Sequence, residues 1–316
     1  MSEFAFVFPG QGSQAVGMLD AWGDHPAVKE AIQEVSDALS EDIGRLIAEG
    51  PKEDLALTTN TQPVMLLAGV AAYRAWRHEG GAAPKVVAGH SLGEYSALVA
   101  AGALTLAQAA PLVRFRAQAM QEAVPVGQGA MAAILGMPAP QVVEVCATVQ
   151  ASFGDASPEV VQAVNFNDPM QTVIAGSKAA VEKAMVELKA AGAKRALPLP
   201  VSAPFHSSLM KPAAERLAER LASVEMQAPQ IPVVNNIDVT IQNDVAQIKE
   251  ALVRQAYGPV RWVECMVAIQ AQGVGAVIEC GPGKVLAGMS KRILPDMASA
   301  ALYDPSSLNE VKTLLS

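Results

Sequence analysis

The chain has 316 residues, of which 51% are hydrophobic, and a formal net charge of −8 at pH 7. This length allows one large domain, or one domain that carries an insertion. The acidic balance argues against a nucleic-acid partner, and no apolar run reaches the roughly 18 residues of a membrane span. Cys146, Cys265 and Cys280 lack metal-ligand spacing, and the N terminus lacks a basic start, so a cytoplasmic protein with reduced thiols is expected.

The first predicted element is a short apolar strand at residues 4–8, which leads into the glycine-rich loop Pro9-Gly10-Gln11-Gly12-Ser13-Gln14. The loop lacks the lysine of a P-loop and the spacing of a dinucleotide-binding motif. Its predicted use is to bring a backbone N–H close to another group. Helical patterns follow at 27–48 and 63–78. A further helix is predicted from an N-cap at Thr105 to about residue 122, with a kink at Pro111.

The segment Gly89-His90-Ser91-Leu92-Gly93 lies between an apolar strand pattern at 85–88 and a helix-forming run. A serine with glycines two residues before and two after, between a strand and a helix, is the nucleophile-elbow pattern. The sharp turn strains the serine backbone and exposes its hydroxyl at the end of the strand. The next backbone N–H lies near the helix start, where it can stabilise an oxyanion. Ser91 is therefore the predicted nucleophile.

Residues 127–198 alternate in the order β-α-β-β-α-β, which is the order of the split ferredoxin-like unit. The predicted strands are 130–135, 160–164, 172–175 and 195–199, and the predicted helices are 140–150 and 177–191. We therefore predict a ferredoxin-like subdomain at 127–198, inserted into a larger α/β domain formed by 1–126 and 199–316. That domain resumes with strands at 232–236 and 276–279 and with helices at 244–257 and 261–272.

A serine nucleophile needs a base, and the chain has four histidines. His25 is predicted at the surface near a helix start, and His78 in the polar end of a helix. The side chain of His90 should diverge from its neighbour Ser91, although it can still line the site. His206 lies in a loop after a strand and is the best candidate base. A solvated loop histidine is the alternative.

Arg116 falls on the apolar face of its predicted helix, together with Leu112, Val113 and Met120. A guanidinium aimed at a core or a cleft is costly unless it meets an anion. A buried structural salt bridge would satisfy it, and so would a substrate carboxylate held by two hydrogen bonds.

Taken together, these segments resemble the malonyl-CoA:acyl carrier protein transacylases of type II fatty acid synthesis along the whole chain. The matching motifs are Phe8-Pro9-Gly10-Gln11-Gly12-Ser13-Gln14, Gly89-His90-Ser91-Leu92-Gly93-Glu94-Tyr95-Ser96-Ala97-Leu98, Arg116 with Met120-Gln121, Val164-Asn165-Phe166-Asn167, Pro204-Phe205-His206-Ser207, Leu252-Val253-Arg254-Gln255 and Gly281-Pro282-Gly283-Lys284-Val285-Leu286. The resemblance implies an α/β-hydrolase-like domain with a parallel sheet and a ferredoxin-like insertion.

The resemblance also implies a role for each matching residue. Ser91 would be acylated by malonyl-CoA, with His206 as base and then acid, in a ping-pong cycle that ends on acyl carrier protein. Gln11 and Leu92 would supply the backbone N–H groups of the oxyanion hole, and Arg116 would bind the malonyl carboxylate. Gln255 would orient the base through its backbone carbonyl. Asn165 and His90 would line the pocket. No metal or cofactor is implied, because the partner carries the phosphopantetheine, and a monomer is expected.

The sequence departs from the family pattern at two positions, and two other functions are considered beside the transacylase. Ala117 stands where the family usually has glycine, and Pro111 is unusual in the same helix; either could shift the clamp slightly. A serine esterase or thioesterase would need a carboxylate to orient His206, for which Asp168 and Glu279 are the candidates. A binding module with a dead site is opposed by the intact set of nucleophile, base and clamp.

Overall fold

The structure is a computed structural model that describes residues 3–154, 156–201 and 203–316. The chain divides into two compact units. The large unit comprises Met1–Ala117, Ser223–Ile248 and Cys265–Ser316, and the small unit comprises Gln118–Ala222 and Lys249–Glu264. The predicted boundaries of the ferredoxin-like insertion, at 126/127 and 198/199, are narrower than the small unit and stay a prediction. No helix in the described ranges is long and apolar enough to cross a membrane.

In chain order, the strands are β1 (Phe4–Phe8), β2 (Val86–Gly89), β3 (Gly129–Leu135), β4 (Val161–Asp168), β5 (Gln171–Ser177), β6 (Arg195–Pro198), β7 (Val233–Val234), β8 (Ala276–Cys280) and β9 (Ala298–Leu302). The α-helices are α1 (Pro26–Leu39), α2 (Ile43–Glu49), α3 (Lys52–Ala56), α4 (Thr58–His78), α5 (Gly93–Ala100), α6 (Leu106–Glu122), α7 (Ala139–Ala151), α8 (Lys178–Ala190), α9 (Lys211–Ala222), α10 (Val245–Tyr257), α11 (Trp262–Ala271), α12 (Val285–Ile293) and α13 (Pro305–Leu315). Short 3-10 turns occupy Asp20–Trp22 and Ser208–Met210.

The large unit is built on a parallel sheet with the strand order β7-β2-β1-β8-β9. An α/β fold with a parallel sheet is thus confirmed. After β1 the chain adds β2 and then β7 on one side of it, and later adds β8 and then β9 on its other side. The direction in which strands are added therefore reverses at β1. The carboxyl edge beside such a reversal is where open α/β sheets bind ligands. The glycine-rich loop after β1 and the elbow after β2 both lie at this edge.

β1 is buried on both faces, because helices cover both sides of a parallel sheet. The prediction of a strand at 4–8 is confirmed. Phe4, Phe6 and Phe8 pack edge-on against Tyr73 and Trp76 of α4, with ring centroids 5.8–6.4 Å apart. This aromatic contact anchors the strand that carries the glycine-rich loop.

Two helical predictions fare differently. The pattern at 27–48 is two helices, α1 and α2, because Ser40 adopts a left-handed conformation with φ of 53° and ends the first. The N-cap at Thr105 is confirmed: its Oγ1 accepts a hydrogen bond from the Gln108 N–H at 3.2 Å, and Gln108 Oε1 accepts one from the Thr105 N–H at 2.9 Å. From this capping box α6 continues through Pro111 without interruption.

The small unit contains an antiparallel sheet with the strand order β4-β5-β3-β6. Each strand and helix predicted between 130 and 199 is present. β4 is longer than predicted and extends to Asp168 past two register shifts. The helices α7 and α8 pack on the sheet and on each other. Their shared core includes Ile134, Val142, Ile174 and Leu188.

Candidate active site

The predicted strand, turn and helix at Ser91 are confirmed, because β2 ends at Gly89 and α5 begins at Gly93. Ser91 has a φ of 52°, in the left-handed region that residues other than glycine rarely adopt. A Cβ at Gly89 would lie 1.8 Å from the Gly93 carbonyl carbon, and one at Gly93 would lie 2.0 Å from the Phe8 carbonyl oxygen. Only glycine fits at these two positions, so both glycines of the motif are required by the turn itself.

Asn236, which the sequence did not single out, binds this turn from the end of β7. Its Oδ1 accepts a hydrogen bond from the Ser91 N–H at 2.7 Å, and its Nδ2 donates one to the Gly89 carbonyl at 2.8 Å. Its own N–H donates to Glu94 Oε2 at 2.9 Å. The only signal in the sequence was a pair of asparagines, Asn235 and Asn236, after a short apolar strand. In a parallel sheet the end of such a strand lies at the same edge as the elbow.

Arg116 is 1% exposed, as its place on the apolar face of α6 predicts. Its Nη1 donates to Gln62 Oε1 at 2.9 Å, and its Nη2 lies 3.3 Å from Ser91 Oγ. Its Cζ lies 5.6 Å from the centre of the Tyr95 ring. Burial lowers the pKa of Arg116, but a guanidinium stays charged in proteins. A buried positive charge beside the serine hydroxyl suits an anionic group carried by that hydroxyl.

Gln62 of α4 is a second residue that the sequence did not single out, and it is fully buried. Besides its bond to Arg116, its Nε2 donates to Gln11 Oε1 at 3.5 Å, and Gln11 Nε2 reaches Thr58 Oγ1 at 3.4 Å. These side chains connect the glycine-rich loop to the arginine beside Ser91. Nothing in the helical pattern of α4 distinguished this glutamine from an ordinary polar residue.

The glycine-rich loop packs directly on the elbow, since a Cβ at Gly10 would lie 2.7 Å from the His90 carbonyl oxygen. The backbone N–H groups of Gln11 and Leu92 donate no hydrogen bond to any residue within the described ranges. Such N–H groups are what an oxyanion hole offers. They are the two that the resemblance assigned to that role.

His206 and Gln255 belong to the small unit and contact each other there. His206 is 4% exposed and has a φ of 65°, so the interpretation as a solvated loop histidine is wrong. Its Nδ1 lies 2.8 Å from the Gln255 carbonyl oxygen. Because a carbonyl only accepts hydrogen bonds, Nδ1 carries the hydrogen and Nε2 is the basic nitrogen. Gln255 is fully buried on α10 and reaches His206 through its backbone.

Asn165 and His90, the residues implied to line the pocket, lie one in each unit. Asn165 is half-buried on β4, beside an isolated parallel bridge to Val260, and its buried Oδ1 has no hydrogen-bond partner among the described residues. His90 is half-buried after β2, and its backbone N–H donates to the Phe8 carbonyl at 2.9 Å. Their contact with substrate stays a prediction.

The two carboxylates considered for an esterase have other hydrogen bonds. Asp168 Oδ1 accepts from the Met170 N–H at 2.8 Å, within the turn between β4 and β5. Glu279 is fully buried at the end of β8, and its Oε2 accepts from the Ala287 N–H at 2.8 Å. Burial raises the pKa of Glu279 to about 7. The hydrogen of His206 Nδ1 goes instead to a carbonyl, which is not the arrangement of a Ser-His-Asp hydrolase.

Metal-ligating side chains are not clustered in the described part of the chain: no group of three or more His, Cys, Asp or Glu residues is placed to hold an ion. The three cysteines are buried thiols outside any disulfide. Burial raises the pKa of Cys146 to about 12 and that of Cys280 well above its usual value. Such thiols are unreactive.

Comparisons with known proteins agree along the whole chain. Residues 5–304 match the family model of the acyl transferase domain. The chain is 52% identical to the malonyl CoA-acyl carrier protein transacylase of Escherichia coli strain K12 over 309 residues, 98% of each protein. It is 63% identical to the crystal structure of an acyl-carrier-protein S-malonyltransferase from Burkholderia pseudomallei 1710b, with a TM-score of 0.95 over 98% of this chain and 99% of that one. It is 51% identical, with a TM-score of 0.94 over 98% of both chains, to a malonyl-transacylase solved in complex with its type II polyketide synthase acyl-carrier protein.

Proposed function

The chain belongs to the acyl transferase domain family, among the malonyl CoA-acyl carrier protein transacylases, and we propose that it works by a ping-pong cycle through a malonyl ester on Ser91. It is an acyltransferase of fatty acid synthesis that moves a malonyl group from malonyl-CoA to acyl carrier protein. The observation that carries the proposed cycle is a buried guanidinium 3.3 Å from a serine hydroxyl held at a nucleophile elbow.

In the first half of the cycle, Ser91 Oγ attacks the thioester carbonyl carbon of malonyl-CoA. The hydroxyl proton passes to Nε2 of His206 as the C–O bond forms, and the C–S bond then breaks. The CoA sulfur leaves with that proton, which restores neutral His206. The Gln255 carbonyl supports this role, because it holds the imidazole in the tautomer whose Nε2 is basic.

The tetrahedral intermediate carries a negative charge on the former carbonyl oxygen. We assign its stabilisation to the backbone N–H groups of Gln11 and Leu92, which have no internal acceptor in the described ranges. Two N–H groups that are fixed before the reaction stabilise such a charge without reorganising.

In the second half, the phosphopantetheine thiol of the carrier gives its proton to Nε2 of His206 and attacks the ester carbonyl. The ester C–O bond breaks, and Ser91 Oγ takes the proton back. An ester and a thioester are close in energy, so the cycle needs the exclusion of water more than a strong driving force.

Arg116 accounts for the choice of malonyl over acetyl in this proposal. Once Ser91 is acylated, the free carboxylate of the malonyl group lies a few bonds from Oγ. A guanidinium presents parallel N–H donors that match a carboxylate. Gln62 accepts from Nη1, which restricts the guanidinium to an orientation with Nη2 toward the serine.

We also propose the finer features of the architecture and setting. The small sheet order β4-β5-β3-β6, with two helices packed on it, supports a ferredoxin-like subdomain. The elbow after β2 supports an α/β-hydrolase-like large domain. We place the enzyme in the cytoplasm, because cysteine thiols outside any disulfide are typical of a reducing compartment, and we propose that it is a monomer.

The test is the intact mass of the full-length protein after incubation with malonyl-CoA, before and after addition of holo acyl carrier protein. Wild type should gain one malonyl group and lose it to the carrier. Ser91→Ala should gain none, whereas Ser96→Ala, a buried serine of α5, should behave as wild type. A malonyl group that persists on Ser91→Ala would overturn the assignment of the nucleophile.

A further inference from the structure

The amide of Asn236 binds both arms of the turn that carries Ser91. It accepts from the Ser91 N–H at 2.7 Å and donates to the Gly89 carbonyl at 2.8 Å. Asn236 is fully buried, and its backbone N–H is bound to Glu94 at the first turn of α5. One residue of β7's end thus holds the last residue of β2, the nucleophile and the start of the helix.

The chemistry of these two contacts selects an amide. The Gly89 carbonyl needs a donor and the Ser91 N–H needs an acceptor, and an asparagine or glutamine side chain offers both from one planar group irrespective of pH. The orientation of the amide follows from its partners, since the reverse would set an N–H against an N–H. An ionised carboxylate could serve Ser91 but not Gly89, and an apolar side chain could serve neither.

We propose that Asn236 is a positioning residue for the acylation of Ser91, an inference that rests on the proposed function. Its first effect is to hold Ser91 in the left-handed conformation that presents Oγ. Its second effect is to occupy the Ser91 N–H. With that donor already bonded to Oδ1, the oxyanion is left to the N–H of Leu92, one residue on, together with that of Gln11.

Replacement of Asn236 by the isosteric aspartate should make the rate of Ser91 acylation depend on pH. In Asn236→Asp, the protonated carboxyl keeps one acceptor and one donor and so mimics the amide, whereas the ionised form loses the donor to Gly89. The titratable groups around the position within the large unit are Glu94 on α5, Arg116 beside the Ser91 hydroxyl, Asp238 in the turn after β7, and the Cys265 thiol bonded to the Asn235 carbonyl. Burial and the facing Gly89 carbonyl both favour the protonated form.

Asn235 offers a matched control for the same substitutions. It is 5% exposed and next in sequence, yet its Oδ1 accepts from the N–H groups of Asp238 and Val239, at 2.8 and 3.1 Å, rather than from the elbow. The experiment measures the single-turnover rate of Ser91 malonylation by malonyl-CoA, by intact mass on the full chain, from about pH 5.5 to 8.

Asn236→Leu should lower this rate by roughly 10²-fold, as expected for a misplaced nucleophile, and change KM for malonyl-CoA far less. The rate of Asn236→Asp relative to wild type should rise as the pH falls, while that of Asn235→Asp should stay flat. A rate for Asn236→Leu within about threefold of wild type would overturn the inference. A ratio of the Asn236→Asp rate to the wild-type rate that does not change with pH would also overturn it. If the leucine variant does not fold, this pH dependence decides the question by itself. Absence of malonylation in wild type would instead refute the proposed function.

Discussion

At the scale of single residues, Arg116 is the group whose surroundings say most about substrate. A fully buried cation is expensive to keep, and its neighbours include a glutamine oxygen, a serine hydroxyl and an aromatic ring, with the charge of Glu94 also favouring the charged form. The ring belongs to Tyr95, whose own pKa is raised to about 12 by burial, so it stays neutral. A substrate carboxylate on Ser91 would add a charge-assisted hydrogen bond on the side of the guanidinium that faces the serine hydroxyl.

Arg116→Ala should therefore cut malonyl transfer sharply and raise the relative rate with acetyl-CoA. A charge-assisted hydrogen bond contributes roughly 1.5–3 kcal/mol, which corresponds to roughly a 10- to 150-fold change. Arg116→Lys should recover only part of the loss, because an ammonium cannot reproduce a two-pronged contact. The measurement is kcat/KM with malonyl-CoA and with acetyl-CoA. An unchanged preference in Arg116→Ala would make the arginine structural.

Gln255 contacts His206 through its backbone carbonyl, so its side chain can be removed without removing that contact. Gln255→Ala keeps the carbonyl that orients His206, so the acylation rate should fall much less than in His206→Ala. Loss of the base should cost roughly 10²–10⁴-fold. Rates of malonyl ester formation for the two variants provide the comparison. Equal losses would show that the glutamine side chain itself orients the base or the substrate.

At the scale of elements, the first turn of α12 is hydrogen-bonded to a buried carboxylate of β8. Glu279 accepts from the Ala287 N–H, in the first turn of the helix, and burial raises its pKa to about 7. The turn between them packs on the glycine-rich loop, since a Cβ at Gly281 would lie 3.2 Å from the Pro9 ring and one at Gly283 would lie 2.8 Å from Ser13 Oγ. The turn between β8 and α12 thus supports the loop that carries Gln11.

This raised pKa predicts a pH dependence of stability. Between the ordinary glutamate pKa and about 7, the folded chain holds a proton on Glu279 that the unfolded chain has released. Stability contributed by this group is therefore present at low pH and lost as the pH rises toward 7, by about 1.4 kcal/mol per pH unit at most. Urea unfolding of Glu279→Gln from about pH 5 to 8 should show a flatter profile than wild type. Glu219→Gln, an exposed control on α9, should keep the wild-type slope; equal slopes in all three proteins would contradict the prediction.

Elements differed in how far local sequence determined them. The strand at 4–8 and the helices of the small unit have the expected periodicity and clear stops, such as Gly192 with φ of 108° after α8. By contrast, β9 is alanine-rich and was not predicted, because it is a strand only through its pairing with β8. The predicted strand at 232–236 shrinks to β7, whose following residues turn toward the elbow.

At the scale of the whole molecule, an acidic enzyme must bind an acidic carrier, since acyl carrier proteins are usually strongly acidic. The net charge of −8 opposes that encounter unless basic residues are concentrated locally. Two groups of exposed cations are candidates: Lys284, Lys291 and Arg292 on the large unit, and Lys189, Lys194 and Arg195 on the small unit. In the second group, Lys189 Nζ donates to the Lys194 carbonyl at 3.0 Å, so its members are neighbours.

Reversal of either group to glutamate should weaken turnover with the carrier and reduce the sensitivity of that turnover to salt. Malonylation of Ser91 by malonyl-CoA should stay nearly intact, because it does not involve the carrier. The measurement is kcat/KM for the carrier at several salt concentrations, with the malonylation rate as the internal control. Unchanged carrier kinetics would show that these are ordinary surface cations.

By itself, the sequence determined the chemistry that local spacing encodes. The glycines around Ser91 specify a tight elbow, and the apolar neighbours of Arg116 place its charge inside, since both depend on residues close in the chain. Only the tertiary structure identified Asn236 and Gln62, which bind the nucleophile and the clamp from elements 145 and 54 residues away. Contacts of that span arise from the order of strands in the sheet and the packing of helices, and no short-range pattern records them. The same holds for the partner of His206 Nδ1, a backbone carbonyl, which every residue type possesses and no side-chain pattern can reveal.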